Sequence, residues 1–181
     1  MISDSDLAAR VASSRDTEAL GELYQRHAPA IHDFLLRTTR DPALAEDLTQ
    51  MTFIKAFEKR ATLRDPSRVK SWLFSIAHHA AVDEQRQRHP AEDIDEKLNL
   101  VAAGPGPEDQ VVSKEAVALV WSAASSLEPR QYAVLDLTVR QQLTTHEVAE
   151  ALGIDPGHAA VLVNRAKEAL GRQRVERRLQ P

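Results

Sequence analysis

Residues 144 to 170 read TTHEVAEALGIDPGHAAVLVNRAKEAL, and this stretch restricts the fold more than any other in the chain. It predicts two short helices about a tight glycine turn. Thr144 is placed to cap the first helix, and Glu147, three residues on, closes a capping box by reaching back to the cap amide. Val148 and Leu152 share one face. Gly153 suits the left-handed residue that ends a helix, and Asp155-Pro156 restarts one, with aspartate as cap and proline at the first helical position. Ala159, Val163, Ala166 and Leu170 fall at helical spacing as the packing side of the second helix. The pattern fits a DNA-binding helix-turn-helix or an ordinary helical hairpin; the shortness of both helices and the tightness of the turn favour the first.

Only six glycines punctuate 181 residues, and aromatics make up 4%, so a sheet protein with many turns is disfavoured and an all-α fold is expected. Cysteine is absent, which excludes a disulfide framework and thiolate chemistry. No apolar run approaches a membrane span, and the start MISDSDLAAR lacks the basic and apolar regions of a signal peptide, so a cytoplasmic protein without membrane contact of its own is expected. The formal charge of -4 is unevenly spread. Acidic residues dominate 89 to 111, whereas 55 to 88 and the tail after 170 are basic. Local basic surface is what phosphate neutralisation needs, so the net sign does not exclude DNA.

In chain order, Leu7 and Val11 suggest a short first helix, and residues 16 to 39 a long one with Leu20, Leu23, Tyr24, Ile31, Phe34 and Leu35 on its apolar side. Pro29 is expected to kink it or break it in two. Asp41-Pro42 launches a helix to about residue 60, with Leu44, Leu48, Met51 and Phe57 at core spacing. Glu46, Asp47, Gln50, Phe53 and Ile54 remain on its outer faces, a mixture suited to a protein contact. Periodicity alone leaves Phe53 and Ile54 equally open to packing on a neighbouring helix. Residues 61 to 68 read as a basic loop ending in a turn at Asp65-Pro66. The helix from 69 to about 88 packs through Val69, Leu73, Ile76, Ala77 and Ala80. It carries Lys70, His78, His79, Arg86 and Arg88 elsewhere, with Trp72 near its start. Cations and an aromatic make a platform for unpaired bases, although Trp72 suits the core better.

Residues 89 to 111 are acidic and rich in proline and glycine, the composition of a linker. Two domains are therefore expected, 1 to 88 and 112 to 181. The second begins with a helix over 112 to 126, continues with one from Leu127-Glu128-Pro129 that buries Val134, Leu135, Leu137 and Val139, and closes with the helix-turn-helix and a basic tail. There is no glycine-rich phosphate loop and no HExxH. The histidines at 27, 32, 78, 79, 89, 146 and 158 are scattered, and His78 and His79 point in different directions on a helix, so they cannot form the helical i, i+4 metal pair. No catalytic residue, metal site or cofactor is expected, and an enzyme is disfavoured.

AEDLTQMTFIKAFEK (45 to 59), VKSWLFSIAHHAAVDEQRQR (69 to 88), SLEPRQYAVLDL (126 to 137) and the closing helix-turn-helix, in this order and around this linker, resemble bacterial sigma-70 family factors of the extracytoplasmic-function type. The resemblance spans nearly the whole chain. It implies a first domain, sigma region 2, that grips the clamp of core RNA polymerase and opens the minus-ten promoter element. A second domain, region 4, would read the minus-thirty-five element. Carried over by position, Asp47, Gln50 and Phe53 match the polymerase-clamp motif, and Leu63 and Arg64 match the loop that captures an unpaired minus-ten base. Lys70, Trp72, His79, Asp83 and Arg86 complete the minus-ten set; His79 stands where many relatives have asparagine.

The last helix departs from the family. Ala160, Val161 and Leu162 occupy the region where relatives place polar groove-facing residues, leaving His158, Asn164, Arg165 and Lys167 for the minus-thirty-five element. Asn164 and Arg165 are the best bidentate donors. Such an apolar strip also suits a protein partner, either an anti-sigma factor or a regulatory C-terminal extension. Two other readings fit the same residues: a stand-alone helix-turn-helix regulator, and a sigma-like interaction module that reads DNA weakly.

Overall fold

Helix after helix in this chain begins on a side-chain cap that the sequence spells. The computed structural model describes residues 2 to 88, 129 to 165 and 168, and every regular element among them is helical. Ser3 accepts from the Asp6 amide at 3.1 Å to open α1 (Asp4–Ser14). Asp16 accepts from the Ala19 amide at 3.0 Å to open α2 (Thr17–Thr39), and Asp41 from the Leu44 amide at 3.1 Å to open α3 (Pro42–Glu58). Each such cap contributes about 1 kcal/mol by satisfying an otherwise orphaned amide. Two 3₁₀ turns, Arg60–Thr62 and Pro66–Arg68, carry the chain into α4 (Val69–Arg88). Further along the chain lie α5 (Pro129–Leu135), a π-helical turn (Asp136–Arg140), α6 (Thr145–Leu152) and α7 (156 to 165). The expected linker, the helix over 112 to 126 and the basic tail lie outside the described residues.

Helix α4 is the centre of the packing. Its residues Val69, Leu73, Phe74, Ile76, Ala77, Ala80 and Ala81 are all buried. On one side Phe74 meets Phe34 of α2 edge to face, with ring centroids 5.4 Å apart, and both rings are fully buried. On another side α6 packs along it, so Val148 and Leu152 join the same continuous core as α1 to α3. The contacts at the edge of this junction are polar. Arg68 meets Glu150 at 2.9 Å, Arg140 meets Asp33 at 3.3 Å, and the Arg37 guanidinium lies over the Tyr132 ring.

Inside the junction the Lys70 ammonium donates to the Gln141 carbonyl at 2.7 Å. Burial pulls the Lys70 pKa down, opposed by the carboxylates of Asp4, Asp136 and Glu147, which come from both halves of the chain. Asp136 is itself fully buried, 3.3 Å from the Tyr132 hydroxyl that donates to it and 3.4 Å from the Gln141 amide nitrogen. Burial raises its pKa above the ordinary carboxylate value, against those bonds and Arg140.

Several expectations are corrected. Pro29 neither breaks nor ends α2, which runs continuously through it. Its ring lies on the solvent side, and so does Gln25, whose carbonyl loses its helical partner and can turn to water instead. Met51 and Val139, expected in the core, are 44% and 41% exposed. Tyr24, also expected inside, is 41% exposed and caps the edge of Phe53. Leu162, placed by sequence on the groove side of the last helix, is 7% exposed and belongs to the core beside Val163.

Phe74→Ala removes the ring that joins α2 to α4 and is expected to cost about 3–5 kcal/mol in denaturant unfolding. Asp136 yields a second expectation. Its proton is held to higher pH in the folded chain than in the unfolded one, so its contribution to stability falls as pH rises above the ordinary carboxylate range. Asp136→Asn keeps an acceptor for Tyr132 without that loss. The variant and parent should unfold alike near pH 4, with the variant more stable at neutral pH; thermal unfolding across pH checks it.

Candidate functional site

The outer face of α3 follows from its spacing. Asp47, Gln50 and Ile54 are three and seven residues apart and share one side of the helix with Met51. All four are exposed, as is Glu46, and Ile54 shows 56% of its surface. Phe53 is the exception among the residues assigned to this face. It is 5% exposed and its ring sits against Tyr24, with centroids 4.8 Å apart. One step along a helix turns a side chain by about 100°, which puts Phe53 and Ile54 on different sides. Of that pair, Ile54 alone offers a contact surface, and Phe53 acts from beneath by fixing Tyr24. Tyr24, Met51 and Ile54 form the exposed apolar part of this region, and Met51 and Tyr24 were missed because their positions also fit a core stripe.

The basic loop is ordered by its own backbone. Asp65 caps the second 3₁₀ turn through the Ser67 amide at 3.0 Å, and the Arg60 guanidinium folds over the Phe57 ring while donating to the Phe57 carbonyl at 2.9 Å. Leu63 and Trp72 come together here. They line one apolar recess with Val11, Leu20 and Arg60, and the Trp72 indole donates to the Thr62 hydroxyl at 3.3 Å. Trp72 is therefore half core and half surface. Arg64 lies beside the recess in sequence and is exposed.

Along α4, Trp72, His79, Asp83 and Arg86 stand seven, eleven and fourteen residues from the first, so they form one stripe. His79, Asp83 and Arg86 are exposed on it. The His79 ring is oriented by its own helix, its Nδ1 lying 2.7 Å from the Ser75 carbonyl oxygen. Lys70 does not belong to this stripe. It is two residues from Trp72, nearly opposite on the helix, and it reaches the Gln141 carbonyl. Its assignment beside the other minus-ten residues followed from charge and family position, and its place on the helix wheel was the signal that separates it.

The helix-turn-helix geometry agrees with the cap reading. Thr144 and Glu147 make both arms of the capping box, and Gly153 takes φ 64°. Asp155 accepts from the amides of Gly157 at 2.8 Å and His158 at 3.3 Å. On α7, Ala159 and Val163 are buried, Ala160 is exposed, and His158, Val161, Asn164 and Arg165 are half-buried. With Leu162 in the core, the apolar strip shrinks to Ala160 and Val161. Lys167, Ala166 and Leu170 lie outside the described side chains. Among the described residues no group of histidines and carboxylates could hold a metal, and no helix is long and apolar enough to cross a membrane.

Comparison with known proteins places these surfaces in a family. The Sigma-70 region 2 family matches residues 23–90, which include α3, the basic loop and α4. RNA polymerase sigma factor CarQ of Myxococcus xanthus is 32% identical over 154 residues, covering 84% of this chain and 87% of that protein. ECF RNA polymerase sigma factor SigL of Mycobacterium tuberculosis is 29% identical over 168 residues, covering 90% and 93%. Among solved structures, CnrH in complex with the cytosolic domain of CnrY aligns with a TM-score of 0.65 at 24% identity, over 96% of this chain and 97% of that one. The sigma factor RpoE of Bartonella quintana, in complex with the anti-sigma factor NepR, aligns at 0.63 and 20% identity, over 89% and 98%. At these identities the structural matches establish the fold. With the sequence matches, they establish that the chain belongs to the extracytoplasmic-function type of the sigma-70 family of RNA polymerase sigma factors.

Proposed function

We propose that this chain joins core RNA polymerase in the cytoplasm and directs promoter-specific initiation, with residues 1 to 88 as the domain that grips the clamp and opens the minus-ten element and residues 112 to 181 as the domain that reads the minus-thirty-five element. The observation that carries this reading is the single stripe of Trp72, His79, Asp83 and Arg86 on α4, running toward the recess that Leu63 and Trp72 line. An indole and an imidazole supply faces for unpaired bases, and Arg86 and the neighbouring Arg64 supply charge for the backbone. Leu63 and Arg64 then hold a flipped base. Strand opening is driven by binding energy in this scheme, with no covalent step.

Asp47 and Gln50, with Met51 and Ile54 beside them, form the clamp contact: charged and amide groups around exposed apolar side chains. Asn164 and Arg165, with His158 and Lys167, are the groove-facing donors of the second domain. CnrH and RpoE were solved with protein partners, CnrY and the anti-sigma factor NepR. An inhibitor of that kind has a suitable target here in the exposed Tyr24, Met51 and Ile54.

Reconstitution with core polymerase in a run-off screen over genomic DNA is expected to give discrete starts that depend on this chain; no start anywhere would refute the reading. Asp47→Ala with Gln50→Ala should weaken polymerase binding about tenfold, as loss of central interface contacts does, with thermal unfolding unchanged. Asn164→Ala with Arg165→Ala should lower transcription from promoters that need a minus-thirty-five element and leave polymerase affinity intact. A stand-alone regulator would instead shift duplex DNA without polymerase.

A further inference from the structure

The apolar part of the α3 face holds the one oxidisable sulfur among the described residues. The chain has two methionines, Met1 and Met51, and no cysteine. Met51 stands four residues after Asp47 and three before Ile54, so it shares their side of the helix. It is 44% exposed, and Ile54 at 56% and Tyr24 at 41% are the other exposed apolar side chains of this region. The patch is held from beneath, because the buried Phe53 ring meets Tyr24 edge to face at 4.8 Å between centroids. A thioether is flexible and polarisable, which suits an irregular partner surface. With no thiol in the chain to compete, it is also the sulfur that a peroxide reaches.

We propose that Met51 is a site of reversible oxidation by oxidants of the peroxide class, and that its sulfoxide weakens the hold of this chain on core polymerase. The inference rests on the reading of the α3 face as the clamp contact. The Met51 Sδ attacks one oxygen of hydrogen peroxide, and the S–O bond forms as the O–O bond breaks. The leaving hydroxide takes the proton from the transferred oxygen and departs as water. Sulfur gives up two electrons and the peroxide accepts them. On the free chain, water solvates the sulfoxide oxygen. The clamp contact excludes that water, and a buried acceptor without a donor costs binding. Bound polymerase covers Met51, so the oxidant acts on the free chain and sets how much of it can join. A thiol-dependent methionine sulfoxide reductase restores the thioether.

The test treats the full chain with hydrogen peroxide, alone and bound to core polymerase, and follows oxygen on Met51 by peptide mass spectrometry. Uptake is expected on the free chain and is expected to slow in the complex; equal rates overturn the proposal. For affinity, the free chain is oxidised and the peroxide removed before polymerase is added, and each sample is compared with its own untreated control. The oxidised parent should bind about tenfold more weakly, the consequence of burying one unsatisfied acceptor, and should recover after treatment with the reductase and a thiol. Met51→Leu should show the same affinity before and after peroxide, whatever that affinity is, which sets aside any effect of Met1. Thermal unfolding of the parent should not change on oxidation, because Met51 is outside the core. An oxidised parent that binds as tightly as the untreated one overturns the proposal. So does an equal loss in Met51→Leu, or a loss that follows from unfolding. Asp47→Ala with Gln50→Ala tells the two failures apart. If that pair weakens binding and oxidation does not, the oxidation site alone fails; if neither has an effect, the clamp reading fails and the proposal falls with it.

Discussion

Helix α4 buries residues around nearly half of its circumference, from Ile76 and Val69 on one flank to Phe74 and Ala81 on the other, and adds the buried Ser71. A single helical neighbour covers an apolar stripe of about 100°. An arc this wide requires several partners, and the rest of the chain is arranged to supply them. Helices α2 and α3 take one side, with Phe34 against Phe74, and α6 takes another. On its Trp72 side α4 leaves His79, Asp83 and Arg86 exposed.

The same arrangement explains why ionisable groups collect beneath α6. Apolar helices brought together from two halves still carry the backbone groups of an irregular turn, and the π-helical segment at Asp136–Arg140 leaves the Gln141 carbonyl to find a donor outside its helix. Lys70 supplies it. Asp136 sits in the same place with its charge opposed by burial and served by Tyr132, Gln141 and Arg140. Groups like these contribute little net stability when paired and cost much when one partner is removed.

Much of the site was legible because helix periodicity and caps are local. The Thr144 and Glu147 capping box, the left-handed Gly153 and the Asp155-Pro156 restart all depend on residues within four positions of one another. The extent of α4 and its packing residues Val69, Leu73, Ile76, Ala77 and Ala80 follow from the same rule. Periodicity was ambiguous wherever a helix has two apolar sides. Along α3, Met51 and Phe53 both fit a stripe, and only the position of Tyr24 on α2 decides that Phe53 goes inward and Met51 outward. Leu162 posed the same problem on α7, where it joins the expected Val163 in the core. The end of α1 was hidden for another reason: Arg15 adopts the left-handed conformation that usually announces itself as glycine, as Arg40 does after α2, whose end at Thr39 was expected.

By itself, the amino-acid sequence determined that this chain is helical, where its capped helices begin, and which family it resembles, because those properties are written in short-range pattern and in motif order. The tertiary structure decided which polar residues act together. Lys70 and Trp72 are two residues apart and read as one basic-aromatic platform, yet a helix sends them to opposite sides, one to the Gln141 carbonyl 71 positions away and the other to the recess beside Leu63. No local rule contains that partner. It exists because α4 has more surface to bury than its own half of the chain can cover.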